Sequence, residues 1–371
     1  GSMRLTGIDR RRVLLGGLSM LAAPLPAVRA WAQSAGTARD LFASACRMAD
    51  GQFSVVLFDD RGTVVRTLPL PDRGHDIVQA ADRRLAVAFA RRPGTFAVSF
   101  DLTAAAEPQL FSCPSDRHFF GHGVFSPDGR LLYATENDFA GARGVIGVYD
   151  ATDQFRRIGE IPTYGVGPHE LLLLADGRTL VVANGGIETH PNSGRMPLNI
   201  ASMKPSVVMI ERDSGALLQQ FLLEDRLHQL SLRHMALGGD GDVWVGAQYE
   251  GPADELPPLV MKLSRDEGFT KLKLPEEVQS GLRNYIGSVA VSRDGSLLAA
   301  SAPRGNTVLL FSADGGFLEA KSMRDACGLA PGPHAGHLTM SGGAMLMDLP
   351  DGAQSRASVE VSFDNHMVRI I

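Results

Sequence analysis

Gly121-His122-Gly123-Val124-Phe125-Ser126-Pro127-Asp128-Gly129-Arg130-Leu131-Leu132-Tyr133 is the stretch that decides how this chain is read. A His opens a short apolar run, Asp-Gly turns the chain, and a second apolar run follows, which makes a β-hairpin with an imidazole at its start. The design recurs along the sequence. His75 heads the run to Asp82; His169 heads one that reaches Leu174 before Asp176-Gly177; His234 heads Met235-Ala236-Leu237 before Asp240-Gly241; and Ser288 heads Val289-Ala290-Val291 before Asp294-Gly295.

Successive heads lie 47, 47, 65, 54 and 46 residues apart from His75 to His334, and the two longer intervals carry insertions at 187–204 and 250–258. Self-similarity at a period of ~40–50 residues is the mark of propeller blades rather than of independent domains. In a propeller the innermost strand of each blade lines a central channel, so residues at one repeat position converge on one axis. The spacing therefore predicts a ring of His75, His122, His169, His234, His334 and His366, with Ser288 leaving a gap. His334 is assigned to the ring because Gly332-Pro333-His334 repeats Gly167-Pro168-His169. His337 then lies further along as a second-layer ligand.

The first strands, 41–48, 53–58 and 64–70, come with no His-headed strand before them. The run Asp364-Asn365-His366-Met367-Val368-Arg369-Ile370-Ile371 supplies one. Pairing it with 41–48 would close an all-β, seven-bladed β-propeller spanning residues 41–371. The bulk agrees: 371 residues with 44% hydrophobic, 41 Gly and 21 Pro hold enough apolar material and turn formers for a large all-β core. A net charge of −5 gives no basic footprint, which argues against a nucleic-acid partner.

Gly1-Ser2 before Met3 reads as a cloning remnant. Arg10-Arg11-Arg12-Val13-Leu14, an apolar stretch at 16–28 and Ala30-Trp31-Ala32 read as a twin-arginine-type signal ending near residue 32, so the mature protein is expected in the periplasm with no membrane span. Cys46, Cys113 and Cys327 make no Cys-x-x-Cys and no Cys-x-x-Cys-His, so covalent haem lacks its attachment site. A Cys113–Cys327 disulfide stays open beside three inert thiols.

Polar groups where the second strand of each blade should end are expected to rim the channel mouth, among them Arg91 and Arg92, Glu136, Glu188 and Tyr249. Imidazoles gathered on one axis repel once protonated, unless a metal or an anion occupies the centre. Three readings follow: a metal site completed by rim carboxylates or Tyr249, an anion or organic substrate held by the ring, and a purely structural ring. No catalytic triad, paired-carboxylate motif or phosphate loop argues for hydrolysis.

Arg73-Gly74-His75, Ala90-Arg91-Arg92-Pro93-Gly94, Gly121 to Gly129, Gly167-Pro168-His169-Glu170, Ala183-Asn184-Gly185-Gly186-Ile187 and Asp364-Asn365-His366 resemble the DUF1513 family of exported bacterial proteins. The resemblance covers nearly all of the mature chain. It implies a seven-bladed propeller similar to YncE-like and WD40-like domains, in a setting of periplasmic iron-handling proteins, and it assigns no reaction. It places iron ahead of copper, although copper would win on raw affinity for imidazole. A more distant similarity to the propeller of nitrous oxide reductase lacks that enzyme's Cys-rich copper domain. The functional expectations are thus a periplasmic metal-binding protein in iron uptake or handling, a metal-dependent oxidoreductase, or a scaffold that docks partners on its rim.

Overall fold

The computed structural model describes residues 40–82, 84–102 and 106–370. The signal-like segment lies outside them. The strands form seven four-stranded antiparallel sheets, each ordered from an inner strand outward. The inner strands are Gly74–Gln79 (blade 1), His118–Phe125 (blade 2), Pro168–Leu173 (blade 3), Leu230–Leu237 (blade 4), Ser288–Val291 (blade 5), Leu329–Pro331 (blade 6) and Val361–Arg369 (blade 7). A short α-helix, Glu276–Gly281, sits between blades 4 and 5.

Burial follows position in the blade. Second strands such as Leu85–Ala90 (LAVAFA) and Leu297–Ala302 (LLAASA) are almost wholly buried, because a neighbouring sheet covers each face. The outer strand Leu217–Leu222 is half-buried to exposed along its whole length. Core clusters accordingly bridge neighbouring blades: Phe89 of blade 1 meets Phe119 of blade 2 with ring centroids 5.4 Å apart, and Trp244 of blade 4 lies in one cluster with Leu298 and Phe311 of blade 5.

The Asp-Gly signature does the same work in successive blades. Asp128 accepts from the Arg130 amide (3.0 Å) and the Ser126 hydroxyl (2.6 Å), and Asp176 from the Arg178 amide (2.8 Å). Gly129 and Gly177 follow at φ 72° and 68°, where a side chain would strain the turn.

The ring closes as the repeat predicts. Val361–Arg369 pairs antiparallel with Leu41–Met48, from Met48 opposite Val361 to Phe42 opposite Arg369, so blade 7 is built from both ends of the described chain. Ser44 Oγ donates to the His366 carbonyl (2.7 Å), Arg369 Nε to Asp40 (2.7 Å), and Arg73 Nε to Asp364 (2.6 Å), which ties blade 7 to blade 1.

Candidate metal centre

Five imidazoles meet on the axis. His75, His122, His169, His234 and His366 are all buried, and ring centroids of neighbours lie 4.6–5.1 Å apart: 4.8 Å for His75 and His122, 4.6 Å for His122 and His169, 4.8 Å for His169 and His234, 5.1 Å for His234 and His366, and 4.6 Å for His366 and His75.

A backbone irregularity accompanies each of them. The ladder to the second strand slips between Gly74 and Ile77, Phe119 and Gly123, Pro168 and Leu171, and Leu232 and His234; in blade 7 it slips across residues 364–366. A β-bulge adds residues to one strand and re-aims side chains, so each imidazole is turned by the local backbone. Blades 5 and 6 keep regular ladders and bring no imidazole. Close packing needs space too: Gly121, at φ 99°, lies against His75, and a Cβ there would sit 2.6 Å from the His75 ring carbon Cδ2.

The donor atoms are close and underused. His75 Nε2 and His122 Nε2 are 3.1 Å apart, and one nitrogen each from His75, His122, His169 and His366 lies within 4.8 Å of the others. His75 Nδ1, His169 Nε2, His234 Nδ1 and His366 Nε2 are buried without a hydrogen-bond partner. Two ligand nitrogens on adjacent corners of a coordination shell, each ~2.1 Å from a metal, lie roughly 3 Å apart, so the His75–His122 approach fits a shared ion. Two carboxylates stand beside the cluster. Asp76 Oδ2 lies 2.9 Å from His122 Nδ1, and Glu170 Oε2 lies 3.6 Å from His234 Nδ1 while accepting from the Met235 amide at 2.7 Å. Asp76, His122 and Glu170 form a second group whose ligand atoms lie within 4.8 Å of one another. An imidazole held by a carboxylate on its far nitrogen is the arrangement that orients a metal-ligating His.

Electrostatics keep most of the cluster neutral. Burial, then the neighbouring imidazoles, lower His75 and His169 well below the ordinary value; burial and His122 do the same for His234. Burial lowers His366 to about 3. Burial would lower His122 as well, but the hydrogen bond and charge of Asp76 raise it. Neutral imidazoles present lone pairs, which is the state a metal requires.

Other expected residues lie elsewhere. His334 and His337 sit in the turn after Leu329–Pro331, at the far end of blade 6 from the ring; His334 is exposed, and His337 Nδ1 is 3.2 Å from Asp348. Gly332-Pro333-His334 imitates Gly167-Pro168-His169 in sequence but occupies a hairpin turn, so the expected ring position of His334 is corrected, and His337 lies not in a second layer of the ring but with Asp348 and Asp351, their ligand atoms within 4.8 Å of one another. Glu136 is no rim group either. It is fully buried between strands, bonded to Arg157 (2.7 Å) and to the Tyr149 hydroxyl. Glu188 lies on the 187–204 insertion with its amide bonded to Asn199, and the Tyr249 hydroxyl is occupied by Glu255. Arg91 does line the channel mouth, as expected, beside Arg92, Arg195, Arg233, Gln248 and Tyr285. The sequence reading missed Asp76 and Glu170 as partners, although each directly follows a ring His. Cys46, Cys113 and Cys327 are buried free thiols.

No curated protein matches this chain in sequence. Solved structures share its fold. A chain of Kuenenia stuttgartiensis hydrazine synthase is 16% identical with a TM-score of 0.58, covering 85% of this chain and 95% of that one. The Cps50 (Swd1) β-propeller domain of Myceliophteria thermophila is 12% identical at 0.57, covering 81% and 93%. A functionally unknown protein from Desulfotomaculum acetoxidans is 14% identical at 0.58, covering 88% and 99%. At such identities the likeness speaks for the fold alone. Residues 68–370 match the model of a family described as a protein of unknown function, DUF1513, and the chain belongs to that family.

Proposed function

We propose that the channel histidines hold a transition-metal ion and that the protein is an exported metal-binding protein of the periplasm, acting in iron uptake or handling. One observation carries this reading: four buried imidazoles offer nitrogens within 4.8 Å of one another, and the cluster includes four buried ring nitrogens that bond to nothing in the protein. An unpartnered buried polar atom costs ~1–3 kcal/mol, and an ion bound by the free Nε2 atoms of His169 and His366 would satisfy both at once. His75, His122, His169 and His366 would hold it, with His234 and the carboxylates of Asp76 and Glu170 adjacent. A mixed imidazole and carboxylate set supports iron ahead of copper, because carboxylate oxygens suit harder cations. The twin-arginine pattern at 10–14 supports export in the folded state, with other periplasmic iron-handling proteins as partners.

A metal-dependent oxidoreductase is the second reading, favoured by the cavity that opens directly onto His75, His169 and His234 and would leave the ion an accessible side. A docking scaffold would use the same rim without a metal.

Elemental analysis of protein processed in its own periplasm, beside a His122→Ala/His169→Ala variant, tests the reading. The expected result is about one equivalent or more of iron, or else copper, lost in a variant whose far-ultraviolet circular dichroism is unchanged. Equal metal in both, or none in either, overturns it.

A further inference from the structure

The mouth of the channel is walled by arginines. Arg91 and Arg92 follow the second strand of blade 1, Arg195 comes from the 187–204 insertion of blade 3, and Arg233 precedes His234 on the inner strand of blade 4. All four line one narrow cavity together with His75, His169 and His234. Asp76 and Glu170, which follow their histidines along the inner strands, do not line this cavity and are half-buried. The imidazoles thus meet guanidiniums at the cavity and carboxylates elsewhere.

Among the described residues, no carboxylate lies within 4.0 Å of Arg91, Arg92 or Arg195. Arg233 is 7% exposed; its Nε donates to Ser231 Oγ at 3.0 Å, and its nearest carboxylate oxygen, on Glu250, stands 3.9 Å from Nη2, too far for a hydrogen bond. Burial followed by mutual repulsion lowers Arg92 to about 8 and Arg91 to about 10. A guanidinium stays protonated in practice, so the relief for such a cluster is a counter-anion rather than proton loss. The chain as a whole carries a net charge of −5, so the cluster is a local arrangement and not part of a basic surface. Donors converging from three blades on one narrow cavity suit a compact anion with several oxygens; a polymer would need an extended groove.

We propose that this mouth binds a small multivalent oxyanion, carboxylate or phosphate in class, held by Arg91, Arg92, Arg195 and Arg233 with one edge turned toward the histidines. The proposal deepens the metal reading only in what the anion touches below: with an ion in the ring, the anion would bind as the ion's chelator, and its hold on the arginines does not depend on that ion.

Isothermal titration of the whole mature protein, metal-stripped and Fe(II)-loaded, against citrate, oxalate and phosphate at fixed ionic strength is the test, with acetate as the monovalent comparison. One site per chain is expected for at least one of the three. Affinity should fall about tenfold or more in Arg195→Ala and in Arg91→Ala/Arg92→Ala, but not in Arg130→Ala, an exposed arginine beside the Asp128-Gly129 turn. A preference for citrate and oxalate identifies a carboxylate ligand, and a preference for phosphate a phosphoryl one. Saturable binding to the stripped protein that survives His122→Ala/His169→Ala keeps the inference even if no metal is ever found. Equal affinity in all arginine variants, or no saturable binding in either metal state, overturns it.

Discussion

The channel has two unlike sides. Blades 7, 1, 2, 3 and 4 each break their inner ladder with a bulge and each deliver an imidazole; blades 5 and 6 run regular ladders and deliver none. On the plain side Ser301 Oγ donates to the Cys327 carbonyl at 2.6 Å and Ser341 Oγ is buried without a partner, whereas the histidine side leaves four ring nitrogens unpartnered. The fold supplies the axis, and irregularities of one or a few residues supply the site. Regular ladders hold the ring together while the bulged ones gather ring nitrogens that can be completed from outside.

Acid should separate the two sides most strongly. His75, His169, His234 and His366 titrate near 6.5 when unfolded and well below that when folded, His366 at about 3. Below pH 6.5 the unfolded chain therefore binds more protons, and the metal-free fold loses up to about 1.4 kcal/mol per pH unit for each such imidazole, with His122 working the other way. Urea melts of metal-free protein at pH 7, 6 and 5 should show a steep decline that becomes shallower in His366→Ala; a flat profile would contradict the buried neutral cluster.

A smaller effect is expected from Gly121→Ala, which forces a Cβ to 2.6 Å from His75 at φ 99°. A loss of ~2–3 kcal/mol and weaker metal retention should follow, while Gly159→Ala, with nothing within 4 Å of its added Cβ, should change neither. Ser288→His puts an imidazole on an unbulged strand. It should cost ~1–3 kcal/mol by overpacking without tightening metal binding, and a measured gain in metal affinity would show that the bulge is not what aims the ring. Smallest of all, His334→Ala and His337→Ala should alter stability by no more than about 0.5 kcal/mol and leave the ring's metal content unchanged.

The fold was legible because the Asp-Gly turn recurs at blade spacing, and the closure because a His-headed run at 366 lacked a blade while 41–70 lacked an inner strand. Five ring histidines were legible for the same reason. Asp76 and Glu170 were not: in a regular strand a residue next to an inward His faces the opposite side, and only the bulge brings both to the site. His334 misled because a Gly-Pro-His triplet means one thing ahead of a bulge and another in a turn. Arg195 reaches the mouth from an insertion that no repeat alignment can place. Glu136 stands at a strand end whose register opposes Phe119 and Val145, which buries it between sheets.

The seam between Leu41–Met48 and Val361–Arg369 gives the metal reading a mechanical side. His366 reaches the axis only when strands separated by more than 300 residues have zipped together, with Ser44 Oγ bonded to the His366 carbonyl. An ion shared by His366 and by His75, His122 and His169 would then be a latch across the seam, adding to the stability of the closed ring in proportion to how tightly it is held. Opening the seam and releasing the cargo would become one event, so any partner able to peel Val361–Arg369 from its neighbour would also unload the ion.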